Sequence, residues 1–145
     1  MNVLIDTGFW YAYYNERDPY HDKAVNMMPF LEKHTIIIPY PSLYEKINTR
    51  FAKRKEWMDS FKVIILSPMC LLINDEKYKK EALSMTMETC IEKGRPISLV
   101  DMVIRQMLDD VNLKSDAIVT FNPGDFYDIC LRNKIRIISN SISKD

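Results

Sequence analysis

Residues 3–7 read Val3-Leu4-Ile5-Asp6-Thr7: three apolar side chains and then a carboxylate, with no turn residue between them. Such a run is too short for a buried helix and reads as a strand covered on both faces. The motif repeats along the chain. Ile36-Ile37-Ile38 is closed by Pro39 and Pro41, and Val63-Ile64-Ile65-Leu66, Ala117-Ile118-Val119-Thr120-Phe121 and Ile135-Arg136-Ile137-Ile138 follow. The segments between them carry helical signals. Phe9–Tyr14 is a short aromatic-rich helix, and Asp18-Pro19 supplies an N-cap and a first-turn proline to a helix with Ala24, Met27, Met28 and Leu31 on one face. Leu43, Ile47 and Phe51 predict a helix from Ser42, and Trp57 and Phe61 a short one after it. Asn74–Lys93 is a long helix ended by Gly94, Ser98 opens a strongly apolar helix, and Asp125–Leu131 is a last short one. Strands alternating with helices predict an α/β fold, a parallel sheet of about five strands covered on both sides, in one domain over residues 1–145.

Composition agrees. Apolar residues are 47% and charged residues 28% of 145, enough for a core and too apolar for disorder. Three glycines and seven prolines disfavour a turn-rich all-β fold. No apolar run approaches the roughly 18 residues of a membrane span, and the N-terminus lacks the basic segment of a signal peptide. A soluble, cytoplasmic protein is expected. Cys70, Cys90 and Cys130 stand far apart and only His21 and His34 accompany them, which disfavours a zinc site. Lys+Arg and Asp+Glu balance at 20 each, yet residues 46–62 hold six basic side chains against two acidic ones. A basic patch on a neutral protein is the expectation.

The acids fall at telling places. Ligands of open parallel sheets bind beyond the carboxyl ends of the strands. Asp6 follows the first strand, Asn122 and Asp125 follow the fourth, Asp101 lies in the first turn of the helix opened by Ser98, and Glu45 lies early in the helix from Ser42. Crowded carboxylates raise one another's pKa, and a hard divalent cation, Mg²⁺ or Mn²⁺, relieves the repulsion. Each acid also has a purely structural reading. Asp6 and Asn122 suit helix N-caps, Ser98-x-x-Asp101 is a capping-box pattern, and Glu45 alone reads as a solvated helix residue. Asp6-Thr7-Gly8 is also the tripeptide of aspartic proteases, but bulky Phe9 and Trp10 follow it and the remainder is not all-β. A phosphatase with a strand-end aspartate usually carries a second aspartate where Gly8 stands.

The ordered set resembles the PIN-domain ribonucleases, most closely the VapC-type toxins of bacterial and archaeal toxin–antitoxin pairs. Val3-Leu4-Ile5-Asp6-Thr7 is similar to the family's opening strand and first metal-binding aspartate. Asp18-Pro19-Tyr20-His21 through Ala24 overlaps its acid–His–Ala run, Glu45 matches the glutamate of the third helix, and Asp101 the aspartate before an apolar helix. Thr120-Phe121-Asn122-Pro123-Gly124-Asp125-Phe126 resembles the closing motif. Asn122 departs from the aspartate of many members, and Asp125 is expected to supply the acid.

The resemblance covers residues 3 to about 138 and implies a three-layer α/β/α PIN-like fold. It further implies hydrolysis of single-stranded RNA by Asp6, Glu45, Asp101 and Asp125. Asp6, Asp101 and Asp125 would be the metal ligands, water the nucleophile, and Thr7, Thr120 and Asn122 the orienting residues. The basic run suggests Arg50, Arg54 and Lys55 as RNA contacts. Tyr11, Tyr13, Tyr14, Met27, Met28, Phe30 and Leu31 exceed what two short helices are expected to bury, which with the resemblance predicts a homodimer and an antitoxin partner. The competing reading is a catalytically impaired PIN-like module that only binds RNA or protein.

Overall fold

Val3 and Ile5 point to one side of the molecule and Leu4 to the other, as a pleated strand requires, and each side carries its own apolar cluster. A computed structural model of the chain describes residues 1–140. Five parallel strands, β1 (Asn2–Ile5), β2 (Thr35–Pro39), β3 (Cys70–Ile73), β4 (Ala117–Val119) and β5 (Arg136–Ile138), pair in the order β3-β2-β1-β4-β5. Leu4 lies between Ile37 of β2 and Ile118 of β4. The chain therefore lays two strands, β2 and β3, outward from β1 in one direction and then returns to its other side. The switch of direction falls between β1 and β4, where a parallel sheet leaves a crevice at its carboxyl end.

One face of the sheet packs on α1 (Thr7–Tyr14), α2 (His21–Leu31) and α5 (Lys55–Ile65), through Phe9, Trp10, Met27, Leu31 and Phe61. The other packs on α6 (Lys79–Met87), α7 (Leu99–Asp109) and α8 (Tyr127–Asn133), through Ala82, Val103, Ile104, Met107 and Ile129. The result is the expected three-layer α/β/α arrangement. Among the described residues no helix is long and apolar enough to cross a membrane.

The sequence reading fails at the third strand. Val63–Leu66 is the end of α5 and its cap, and β3 lies further on, at Cys70-Leu71-Leu72-Ile73. Trp57, Phe61, Ile64 and Ile65 fall at helical spacing and pack toward the core, whereas Val63 and Leu66 are exposed. Four consecutive apolar residues had masked that period.

The helix expected through Leu43, Ile47 and Phe51 is two helices, α3 (Tyr40–Lys46) and α4 (Thr49–Ala52). Asn48 breaks it by accepting a hydrogen bond from the Phe51 N–H at 3.0 Å. α2 begins at His21 rather than Pro19, because the Asp18 carboxylate accepts from the Tyr20 N–H at 2.8 Å and closes a turn there. The long helix starts at Lys79 and passes into a π-helical turn, Glu88–Glu92, before Gly94 at φ 61° ends it as expected. Met27, Met28, Leu31 and Tyr14 are buried, and Phe30 and Tyr13 pack against the same core. Most of the apolar excess expected on these helices is therefore interior, while Tyr11, Tyr13 and Phe30 stay half-buried.

Candidate active site

Asp6 is the first residue past β1 and sits at the crevice. Its backbone N–H donates to the Val119 carbonyl at 3.0 Å, continuing the ladder with β4, and its side chain is 6% exposed. One carboxylate oxygen accepts from the Thr7 N–H at 2.8 Å and the other from the Thr120 hydroxyl at 2.9 Å. Thr120 is in turn held, its hydroxyl accepting from the Asn122 N–H at 3.0 Å. The capping reading of Asp6 is thus correct and insufficient. A cap needs one oxygen, and the second is gripped from the neighbouring strand.

The other acids come from three different elements. Glu45 is exposed on α3, Asp101 half-buried in the first turn of α7, and Asp125 half-buried at the end of a 3₁₀ turn, Pro123–Asp125. Burial pushes the Asp6 carboxyl above its ordinary range, with Glu45 and Asp125 adding repulsion. Asp101 is pushed up to about 6 by burial, then by Asp6, and further by Asp125, while Ser98 opposes. Glu45 is raised by burial and by Asp101, and the nearby Thr7 hydroxyl opposes. Carboxylates from the ends of β1, α3, α7 and the turn after β4 therefore influence one another, but they do not line one cavity: Asp101 and Asp125 share one, and Glu45 lines another beside Leu99 and Val103. No basic side chain is among the groups acting on Asp6, Glu45 or Asp101.

Asp101 and Asp125 line an open cavity of about 470 Å³ together with Ser98, Gly94 and Cys90. Ser98 accepts from the Asp101 N–H at 3.0 Å, so the capping-box reading also holds, and the cap fixes where Asp101 projects. Asn122 precedes the 3₁₀ turn without capping it, which leaves its side chain exposed and uncommitted. Among the described residues no three of these acids close into a ready-made ligand shell. Their chemistry nonetheless suits a hard cation. The donors are all oxygens, Arg105 acts on Asp125 and no basic side chain acts on the other three acids, and the buried Thr7 hydroxyl completes no hydrogen bond.

Several supporting residues were not anticipated. Arg105 on α7 pairs with Asp128 through two bonds of 2.7 and 2.8 Å and also donates to the Asp125 carbonyl at 2.9 Å. It fastens the turn bearing Asp125 to the helix bearing Asp101, and its position four residues after Asp101 was the available signal. The Tyr11 hydroxyl donates to the Glu45 carbonyl, and Asn48 donates both to that carbonyl at 3.0 Å and to the Tyr11 hydroxyl at 2.6 Å. These bonds hold the Glu45 turn against α1.

Of the basic run, Arg50 and Arg54 line a second cavity beside Tyr11, and Lys55 is exposed at the start of α5. Lys46 does not belong to this surface. It is fully buried, its ammonium 3.9, 4.5 and 4.9 Å from the ring centroids of Phe51, Tyr11 and Tyr14.

The sheet order and the helices on both faces are those of a PIN-like fold of the VapC type. Two solved structures share it. VapC20 of Mycobacterium tuberculosis, described as a Sarcin-Ricin loop cleaving toxin, superposes with a TM-score of 0.61 at 18% identity, covering 80% of this chain and 86% of that one. VapBC2 of Rickettsia felis, solved bound to a DNA fragment from its promoter, gives a TM-score of 0.61 at 18% identity over 95% and 98% of the two chains. No family model matches the sequence, and no curated protein does. At this identity the likeness is one of fold.

Proposed function

We propose that the protein is a metal-dependent endoribonuclease that hydrolyses single-stranded RNA, the toxin of a toxin–antitoxin pair. The observation that supports the reading is the mutual repulsion among Asp6, Glu45, Asp101 and Asp125 at the carboxyl end of the sheet, with no basic side chain acting on the first three. The fold shared with VapC20 and VapBC2 supports it.

Asp6, Asp101 and Asp125 would hold Mg²⁺ or Mn²⁺. When bound, the ion supplies the missing positive charge and polarises the scissile phosphate. Thr120 and the Thr7 N–H keep the Asp6 carboxylate in one orientation, so no reorganisation is needed at the moment of reaction. Glu45, outside the metal-binding set and the most exposed of the four, would take the proton from the attacking water as its oxygen bonds to phosphorus, and the leaving ester oxygen would take a proton from solvent as its P–O bond breaks. Thr7 and Asn122, both with uncommitted polar atoms, orient water and phosphate. Arg50, Arg54 and Lys55 attract the RNA backbone. The homodimer and an antitoxin that covers the acids belong to the same proposal, and they rest on the resemblance and the VapBC2 neighbour.

The test is cleavage of single-stranded RNA with Mg²⁺ or Mn²⁺, together with a Mn²⁺-dependent rise in melting temperature. Both should vanish in Asp6→Asn and Asp101→Asn variants. Cleavage that survives these substitutions, or that ignores EDTA, overturns the assignment. Binding of RNA without cleavage, unaffected by metal, leaves the competing binding module.

A further inference from the structure

The second cavity, of about 620 Å³, opens between α1 and the α4–α5 segment. It lies beside the turn of Glu45, whose carbonyl accepts from Tyr11 and Asn48, both of which line the cavity. Its size is that of an ordinary small-ligand site. Three guanidinium groups face it, those of Arg17, Arg50 and Arg54, against two carboxylates, Glu16 and Glu56. Among the described residues none of the three makes an ion pair or a side-chain hydrogen bond. Arg17 comes from the loop after α1, far in sequence from the basic run, so the cluster is assembled by the fold.

Aromatic surface lies beside this charge. The Arg54 guanidinium sits 4.2 Å from the centroid of the Trp57 ring, and both line the cavity. Unpaired planar guanidiniums match phosphate oxygens in pairs. An arginine resting on an indole is a flat platform of the kind on which unpaired bases stack. An apolar peptide segment would leave three cations without partners on being buried. A phosphate with a base attached satisfies both halves of the cavity.

We propose that this cavity is a subsite for one nucleotide of the RNA strand, flanking the unit at the acids. Arg17 and Arg50 hold its phosphate, and its base lies on the Arg54–Trp57 platform. The inference rests on the ribonuclease reading of the acidic pocket and adds how the strand is gripped and steered past Glu45.

Binding of adenosine 5′-monophosphate and of a short single-stranded RNA, measured calorimetrically on the intact chain, tests it. Circular dichroism checks that each variant is folded. Arg17→Ala and Trp57→Leu should each weaken both ligands about tenfold, while Lys53→Ala, an equal loss of charge outside the cavity, changes them less than twofold. Equal weakening by Arg17→Ala and Lys53→Ala, with Trp57→Leu silent, reduces the cavity to diffuse attraction and overturns the subsite. So does an acidic peptide that binds while the nucleotide does not. Should Trp57→Leu unfold the chain, Arg54→Ala takes its place, with the same tenfold loss expected. Nucleotide binding with no cleavage of RNA by the wild type sinks the ribonuclease reading and leaves the subsite standing. Cleavage with unchanged KM in Arg17→Ala and Trp57→Leu does the reverse.

Discussion

Replacing Lys46 with methionine should make the protein more stable. The side chain is fully buried, and its ammonium has no hydrogen-bond partner. Loss of water pulls its pKa from 10.5 down to about 7. That difference is worth about 5 kcal/mol against the charged form, at about 1.4 kcal/mol per pH unit. The faces of Phe51, Tyr11 and Tyr14 oppose it, each by about 1 kcal/mol at such distances. A net penalty of about 2 kcal/mol remains at neutral pH and below.

The sign of the pH dependence follows from the lowered value. Between the folded pKa and 10.5 the unfolded chain binds a proton that the folded chain does not, so this group's contribution to stability rises with pH across that window. Lys46→Met keeps the length and apolar stem and removes the charge. In urea denaturation at pH 6 the variant should gain about 2 kcal/mol, or about 6 °C in melting temperature for a chain this size. The advantage should hold from pH 6 to neutrality and then shrink as pH approaches 10. Comparing the two proteins cancels the contributions of the cysteines and tyrosines, which are the same in both. A variant less stable at pH 6, or two stability curves that run parallel from pH 6 to 10, would refute the reasoning. The rings would then be stabilising the cation by more than its burial costs.

Other consequences are simpler to test. Asp101→Asn should stabilise the metal-free protein above pH 6 by up to about 3 kcal/mol, since the raised carboxyl is penalised only when charged. In thermal melts the gain should fade as pH drops from 6 toward 4, and Mn²⁺ should narrow it; a pH-independent gain would rule out the electrostatic origin. Thr120→Val removes a hydrogen bond to the ionised Asp6. It should cost about 1 kcal/mol in urea titrations and move the acid limb of the cleavage profile upward; an unmoved limb would show that Asp6 does not titrate in the profile. Lys134 caps α8 at φ 55°, a left-handed conformation, so Lys134→Gly should raise stability by about 1 kcal/mol in the same titrations. A loss on that substitution would mean the lysine side chain, not the backbone, secures the cap.

What the sequence disclosed depended on how far apart the cooperating residues lie. β1 and β4 were legible because each is a local apolar run ended by a polar residue, Asp6 or Thr120, and nothing remote is needed to recognise it. β3 was not, because Val63–Leu66 is as apolar as a strand. Only its register with Trp57 and Phe61 reveals a helix that leaves Val63 and Leu66 in water. Lys46 was misplaced for a related reason. A lysine within a basic run looks like surface, and the rings that enclose it lie on α1 and α4, brought together only by the fold.

The acidic pocket occupies a middle position. Each acid has a local job visible in the sequence, since Asp6 does cap α1 and Ser98 does cap the turn of Asp101. Local propensity therefore explains each acid separately and gives no reason for the four to repel one another. That reason is topological. The chain places β4 beside β1 instead of at the edge next to β3, which brings Thr120 to Asp6 and the turn of Asp125 to α7. With β4 at the far edge the same residues could cap the same helices without Thr120 reaching Asp6. Burial is the largest cause of the rise of Asp101 to about 6, and Asp6 and Asp125 add to it, a cost that caps alone do not require. A fold that accepts this cost and fastens the turn of Asp125 with Arg105 has the perturbed carboxylates that the proposed metal site calls for.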